Sequence, residues 1–455
     1  MALLIKNGKV LVNSELCPKD LLIEDGKITH IADVIPQGNA QVLDAKGQMI
    51  LPGGVDVHTH MSLDLGAYVA VDDFYTGTVA AANGGTTTIV DHIGFLERGS
   101  SLQEMIDHYH DLAHDKAVID YSFHGAMQEA SPSHLVELDT LFESGIVSIK
   151  LYTTYGGMLE DDAILRVLKK AKETGTVVCV HCENDGAIRA LRAEAETAGH
   201  LDPIYHAKTR PNVTEAEAIN RLIYLSDIAG FPKLYIVHTS TKEGLEEIKA
   251  ARRRGVKNLY CETCTQYLLL DESKYTSGGN EEGVKYIMAP PLRTITDQGA
   301  LWDGVRNGDV DVIATDHCPF FYERDKLPHK DNFLTCPGGA PGVEERIELI
   351  LTEGLKRGIA LERLVDVLAT NPSDIFGMSQ KGRLEEGADG DVILVDVSPY
   401  TIARDNRHSR VDYTCYEGFT TQYRVTTVVS HGVIVKDGHD FYGKAGMGQF
   451  IKRRF

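Results

Sequence analysis

Between residues 54 and 317 short β-rich runs alternate with helix-like stretches, and this alternation restricts the fold more than any other feature of the sequence. Eight candidate strands follow in series: GVDVHTH (54–60), TTTIVDH (86–92), VIDYSFHG (118–125), VSIKLY (147–152), TVVCVHC (176–182), KLYIVH (233–238), KNLYCET (257–263) and DVIATDH (311–317). Segments such as DDAILRVLKKAKETG (161–175) and TKEGLEEIKAARRRG (241–255) lie between them. Both open on acidic or Thr capping residues and stop at Gly, as helices do. Eight strand–helix units in series predict an α/β fold, a (β/α)8 TIM barrel over residues 53–375. An open doubly wound sheet is the alternative, but the length suits a barrel with insertions after strands 5, 7 and 8.

The flanks have another texture. Residues 1–52 read as a β-meander, LLIKNGKVLV, DLLIEDGKITHIA and QVLDAKGQMI, with Asn-Gly, Asp-Gly and Lys-Gly turns. DGDVILVDV and TTVVSHGVIVKDGH, within 376–440, look alike. The two ends are therefore expected to build one small β-sandwich domain. Residues 441–455 form a tail, a candidate oligomer contact.

Charge and composition exclude several functions. A net charge of −20 disfavours nucleic acid and anionic membrane surfaces, which select clustered Lys and Arg; the terminal IKRRF is one short basic end. No apolar run approaches the roughly 20 residues that span a bilayer, and MALLIKNGKVLV reads as a strand rather than a secretory signal. Eight cysteines in 455 residues fit reduced thiols, and a cytoplasmic location is expected.

Barrel chemistry sits at the carboxyl ends of strands. Here those ends carry His58 and His60 (strand 1), Lys150 (strand 4), His181 (strand 5), His238 (strand 6) and Asp316 (strand 8). Positions i and i+2 of a strand face the same way, so His58 and His60 could grip one ion. A lone H-x-H is weak; with three further ligand types at equivalent ends, a metal centre is expected. Imidazole and carboxylate suit zinc, with iron, nickel, cobalt and manganese as alternatives. Lys150 is the odd member. It either pairs with a carboxylate or, carboxylated by carbon dioxide, becomes an anionic ligand.

Long ordered motifs then carry a resemblance: LPGGVDVHTHM, VDDFYTGTVAAANGGTTTIVDH, SIKLYTTYGGMLEDD, VVCVHCEND, LYIVHTSTKEGL, ETCTQYLLLDESKY, APPLRTITDQGALWDGVRNGDVDVIATDHCPF and GAPGVEERIELIL. The chain resembles, almost end to end, the dihydropyrimidinase and D-hydantoinase family of metal-dependent amidohydrolases, above all bacterial D-phenylhydantoinase-like proteins. The resemblance implies two divalent metal ions, one held by His58, His60 and Asp316, the other by His181 and His238, bridged by N6-carboxylated Lys150. It implies a water or hydroxide between them as nucleophile. Asp316 would act as general base and then acid, and Tyr155 would hydrogen-bond the developing oxyanion. Ala289 and Gly338 would bind the substrate's imide through backbone groups, although the family commonly has Ser and Asn at these places. Leu63, Leu65, Tyr68, Ile93, Phe95, Leu96, Tyr152 and Met158 fall in loops that shape the family's substituent pocket. The implied reaction opens 5-substituted hydantoins, preferably aryl, or dihydropyrimidines to N-carbamoyl amino acids, and the implied assembly is a homotetramer.

Rivals follow from the same residues. Dihydroorotases usually place an Arg soon after H-x-H, where this chain has MSLDLG; allantoinase is a further alternative. A non-catalytic assembly protein of the same fold would have lost ligands that are all present here. Cys179-x-x-Cys182 with Cys261-x-x-Cys264 could be read as zinc ligands, but separate strands favour buried thiols; Cys318 and Cys336 lie near the mouth, with nothing to mark a nucleophile. Asp56 and His124 are candidates to orient a ligand from behind. His317 should point away from Asp316. His92 also stands near a strand end.

Overall fold

The computed structural model describes residues 2–12 and 14–455. Eight parallel strands form the barrel: Gly54–Thr59, Thr86–His92, Asp120–Ala126, Ser148–Tyr152, Val177–His181, Leu234–Ile236, Leu259–Cys264 and Val312–Ala314. They lie side by side in chain order, and the Thr59–His317 bridge joins last to first. Thr86–His92, Asp120–Ala126 and Val177–His181 are buried at every position. Strands covered on both faces tend to carry apolar and β-branched runs, as Val177–His181 does, while Thr86–His92 and Asp120–Ala126 also bury Asp, Ser and His side chains. Helix Asp161–Thr174 turns Ala163, Ile164, Val167, Leu168 and Ala171 inward and stops at left-handed Gly175. Thr241 caps helix Lys242–Arg253 by accepting from the Gly244 N–H.

The sixth and eighth strands are shorter than the apolar pattern suggests, ending at Ile236 and Ala314. His238 and Asp316 therefore lie just beyond them, in left-handed backbone with φ of 37° and 53°. The longest insertions follow the fifth, seventh and eighth strands, as expected.

Both chain ends build one mixed sheet of nine strands. Its joint is Met49–Pro52, parallel to Ala2–Val12 on one side and antiparallel to Val392–Thr401 on the other. Leu3, Ile5, Val10, Leu21, Ile23, Val392, Leu394 and Val429 form its own core. Gly53 and Gly54 let the chain pass from this sheet into the barrel: a Cβ on Gly53 would lie 2.2 Å from Thr87 Oγ1, and one on Gly54 2.6 Å from Ile347 Cδ1.

The tail is tied to its own barrel. Tyr121 N–H donates to Gln449 O (3.0 Å), Ile451 N–H to Tyr121 O (2.8 Å) and Arg453 N–H to Gly145 O (2.9 Å). Arg453 is fully buried and donates to the hydroxyls of Ser122 (2.9 Å) and Ser148 (2.8 Å). Beside it lies a charged knot. Buried Lys381 bonds Asp120, Asp389 and Asp391, and His431, from the terminal sheet, bonds Asp120. Barrel, linker and terminal sheet thus meet on one carboxylate.

The Asp120 hydrogen bond outweighs burial and raises the His431 pKa above its ordinary 6.5. A raised folded-state pKa contributes stability that is complete below the unfolded value and disappears as pH rises through the folded one. Urea midpoints should therefore fall as pH rises from about 6.5 through that raised value. His431→Gln should flatten this part of the profile; an unchanged slope would remove the imidazole from the linkage.

Candidate metal centre

Each strand end delivers its side chain to one mouth. His58 and His60 lie one residue apart at the end of the first strand, with ring centroids 5.3 Å apart. Both Nε2 atoms face Asp316 Oδ1, at 3.1 Å from His58 and 3.0 Å from His60. The His181 and His238 rings meet edge-on at 4.5 Å, and His238 is 5.4 Å from His58. Lys150 is 1% exposed, forms no ion pair among the described residues, and places Nζ 5.2 Å from the Tyr152 ring centre. Its charge pushes downward on the pKa of His58, His60, His181 and His238, although nearby carboxylates keep His58 raised overall. The sequence-derived set is thus assembled around one space.

Left-handed backbone at His238, Asp316 and Tyr155 (φ 70°) is costly for residues with a Cβ, on the order of 1–3 kcal/mol each. Three such residues at one mouth mark strain held there by the surrounding barrel. Glu262 supplies part of that hold by accepting from the His238 N–H at 2.8 Å.

The charges of the site are strongly coupled. Burial pushes the His58 imidazole down, but Glu262 and Asp316 outweigh it and hold its pKa up at about 9. Burial lowers His60 and also lowers Lys150, against the pull of Asp316 and Glu262. Burial would raise Asp316, yet His58 and His60 hold its carboxyl well below the usual range. His60 Nδ1 is buried with no partner, and His58 Nε2 stands close to Asp316 without hydrogen-bond geometry. Unpaired polar atoms in a buried site are costly. Two imidazoles and a carboxylate with ligand atoms within 4.8 Å of one another fit a divalent ion.

Two carboxylates behind the rings were not singled out from the sequence. Glu262 bonds His58 Nδ1 at 2.6 Å and also accepts from the Tyr235 hydroxyl at 2.8 Å. Glu183 bonds His181 Nε2 at 2.7 Å and is paired with Arg210. Such pairs fix an imidazole's tautomer and leave the other nitrogen for metal. The available signal was an acidic residue inside or just after an otherwise buried strand. His92, noted in the sequence only as standing near a strand end, joins the same cluster. Neither of its ring nitrogens has a partner, and the ring lies 4.3 Å from His58 and stacks at 4.2 Å on His124.

Other expected roles change. Asp56 does not touch a ligand ring; its carboxylate accepts from the His58 backbone N–H (3.2 Å) and the Thr315 hydroxyl (2.7 Å), bracing the first strand against the eighth. His124 bonds Ser148 Oγ (2.7 Å) and Val57 O (3.0 Å) rather than a ligand, because it lies below the mouth. His317 points away, to Asp72 at 3.0 Å, as alternation along the chain requires. The cysteines are unpaired, and the two Cys-x-x-Cys segments are not among the metal-capable groups of the described residues. Asp120, Asp389 and His431 do form such a group, but Lys381 already bonds both carboxylates.

At the rim, Gly339 N–H donates to Ile287 O (3.1 Å) and Cys318 N–H to Ala340 O (3.0 Å). These bonds tie the loops carrying Ala289 and Gly338 to each other and to the Asp316 turn. Nothing lies within 4 Å of a Cβ built on Gly338. Phe95 meets Tyr152 at 5.7 Å and Tyr152 meets Tyr155 at 6.4 Å, forming one aromatic wall. Leu63 and Tyr68 pack on Cys318 and Phe320. Leu65 is exposed and Ile93 buried, while Leu96 and Met158 are half-buried.

A parallel barrel with imidazoles, a carboxylate and a lysine gathered at its strand ends defines a hydrolase of the metal-dependent class. The chain belongs to the amidohydrolase family, whose profile matches residues 49–435. It is 44% identical to a D-phenylhydantoinase of Escherichia coli O1:K1 / APEC, over 100% of this chain and 98% of that one. Among solved structures it superposes on dihydropyrimidinase from Brevibacillus agri NCHU1002 with a TM-score of 0.96 at 39% identity, covering 100% of this chain and 99% of the other. A D-hydantoinase matches with a TM-score of 0.97 at 38% identity, again covering 100% and 99%.

Without its charge Glu262 no longer fixes the His58 ring, so Glu262→Gln should weaken metal retention by about 10–100-fold, the usual effect of losing such a partner. Metal content after graded chelator dialysis measures this; retention equal to wild type would show that the carboxylate only packs.

Proposed function

We propose that this protein hydrolyses the cyclic amide bond of 5-substituted hydantoins, aryl ones preferred, and of dihydropyrimidines, releasing N-carbamoyl amino acids or the corresponding ureido acids. The observation that carries the reading is the convergence of His58, His60, Lys150, His181, His238 and Asp316 on one space beside an aromatic wall. The identity to D-phenylhydantoinase over the whole chain supports the substrate class.

His58, His60 and Asp316 would hold one divalent ion, and His181 and His238 a second, with zinc expected from the donor set. When bound, such a pair polarises a carbonyl and brings the pKa of a shared water toward neutrality. Lys150 is a buried amine without a carboxylate partner and with a lowered pKa. Its nitrogen can add to the carbon of carbon dioxide and lose a proton, which turns a repelled cation into an anionic ligand between the two sites.

The remaining roles belong to the chain. Asp316 accepts the proton of the attacking water as its oxygen bonds the ring carbonyl carbon. It returns that proton to the ring nitrogen as the C–N bond breaks. Tyr155 donates to the carbonyl oxygen as negative charge develops there, a contribution worth about 2.7–4 kcal/mol in comparable sites. Backbone groups at Ala289 and Gly338 orient the imide. Phe95, Tyr152 and Leu65 receive an apolar ring substituent. We further infer a homotetramer in the cytoplasm; reduced cysteines suit that location. Among the described residues no helix is long and apolar enough to cross a membrane.

Metal-replete protein offered 5-phenylhydantoin, dihydrouracil, allantoin and dihydroorotate should open the first fastest. Turnover of allantoin or dihydroorotate alone would reassign the substrate, and no turnover of any would refute the activity. Lys150→Ala should lower kcat by about two orders of magnitude or more, as loss of a transition-state element does, together with metal content. Full activity in that variant would exclude the lysine bridge.

A further inference from the structure

Arg210 is 3% exposed and lies between helix Ile204–Lys208 and helix Asn212–Ile228, in the insertion after the fifth strand. One arm of its guanidinium bonds Glu183, the carboxylate that holds His181 Nε2 at 2.7 Å. Its other side faces Tyr155: the guanidinium carbon stands 5.5 Å from the ring centre. Tyr155 in turn lies 5.2 Å from the His181 ring, which closes a circuit of four side chains. The Arg210 carbonyl accepts from Arg293, whose Nε also donates to the Ser240 hydroxyl at 3.0 Å, so the arginine's backbone is fixed as well.

A buried Arg–carboxylate pair rarely adds net stability, because desolvation cancels much of the attraction. Its planar fork does impose direction on two partners at once. Tyr155 needs such direction: its backbone is left-handed at φ 70° and the residue is 42% exposed, so part of it lies open to solvent.

We propose that Arg210 is a positioning residue that locks Tyr155 to the Glu183–His181 pair, so that the donor to the substrate's carbonyl oxygen keeps a constant relation to the metal side of the site. The inference rests on the hydantoin-opening reading for what Tyr155 does, though not for what Glu183 does.

The test compares Arg210→Gln, Arg210→Lys, Tyr155→Phe and the Arg210→Gln/Tyr155→Phe double variant as metal-replete protein. The readouts are kcat and KM on 5-phenylhydantoin, metal retained against a chelator, and melting temperature. Arg210→Gln should lower kcat about tenfold or more, a part of what an oxyanion donor supplies, with KM within about threefold, and should lose metal faster than wild type. Tyr155→Phe should cost less in that background than in the wild type, by about the factor that Arg210→Gln costs alone, because the two act as one unit. Arg210→Lys keeps a charge for Glu183 but not the fork, so it should restore metal retention and leave kcat low.

Additive losses in the double variant would overturn the proposal. So would a KM that rises while kcat holds, which would make Arg210 a substrate contact, or a lowered melting temperature with normal kcat. If Arg210→Gln does not fold, Arg210→Lys carries the same cycle. If the wild type opens no hydantoin, the activity reading fails by itself; metal retention equal in wild type and Arg210→Gln would then overturn the Glu183 half of this inference.

Discussion

Glu262, a single buried carboxylate in the seventh strand, holds the mouth of the barrel in shape. It takes the His58 ring from the first strand, the Tyr235 hydroxyl from within the sixth, and the His238 N–H just past the sixth. No sequence-local device could align residues 58, 235 and 238. One charge accepting three hydrogen bonds does so, because an unpaired carboxylate at that depth would be far more costly than the order it imposes. The left-handed turn at His238 and the tautomer of His58 both follow from this contact.

The opposite end of the barrel is built for cohesion. Asp120, Lys381, Asp389, Asp391 and His431 gather charges from the barrel, the linker and the terminal sheet, and Arg453 inserts among the hydroxyls at the base. This division is general for the fold: conserving geometry below while loops vary above lets chemistry change without loss of the scaffold. Here the lower end is stitched by the two chain termini, so the terminal sheet and the tail belong to the barrel's stability. The tail's contacts with Tyr121 and Gly145 pair backbone groups of the barrel with those of the tail.

Above the clustered imidazoles, the site is shaped by aromatic and cationic groups. Phe95, Tyr152 and Tyr155 form a wall on one side, and Arg210 stands behind the last of these. A flat, apolar flank beside a charged pocket suits a substrate with a polar ring and an apolar substituent. The loops of Ala289 and Gly338 meet at the Gly339–Ile287 hydrogen bond on the Asp316 side.

Much of this is legible in the sequence. Eight β-rich runs spaced by helical stretches point to parallel strands with helical crossovers, and the length favours a closed barrel over an open sheet. The H-x-H pair and the polar residues at later strand ends follow from the same logic, since a closed barrel turns all its strand ends to one mouth. Other features lie in partners that no spacing reveals. Glu262 and Glu183 look like ordinary acids until the fold places His58 and His181 against them, and Asp56 looks like a ligand's support until Thr315 claims it. The short sixth and eighth strands, with His238 and Asp316 in strained turns past their ends, were equally hidden. The sequence by itself determined which chemistry-bearing residues share a mouth, because strand periodicity and barrel closure are local and topological rules. Only the tertiary structure decided which of them touch, because buried charges choose partners by proximity across strands far apart in the chain.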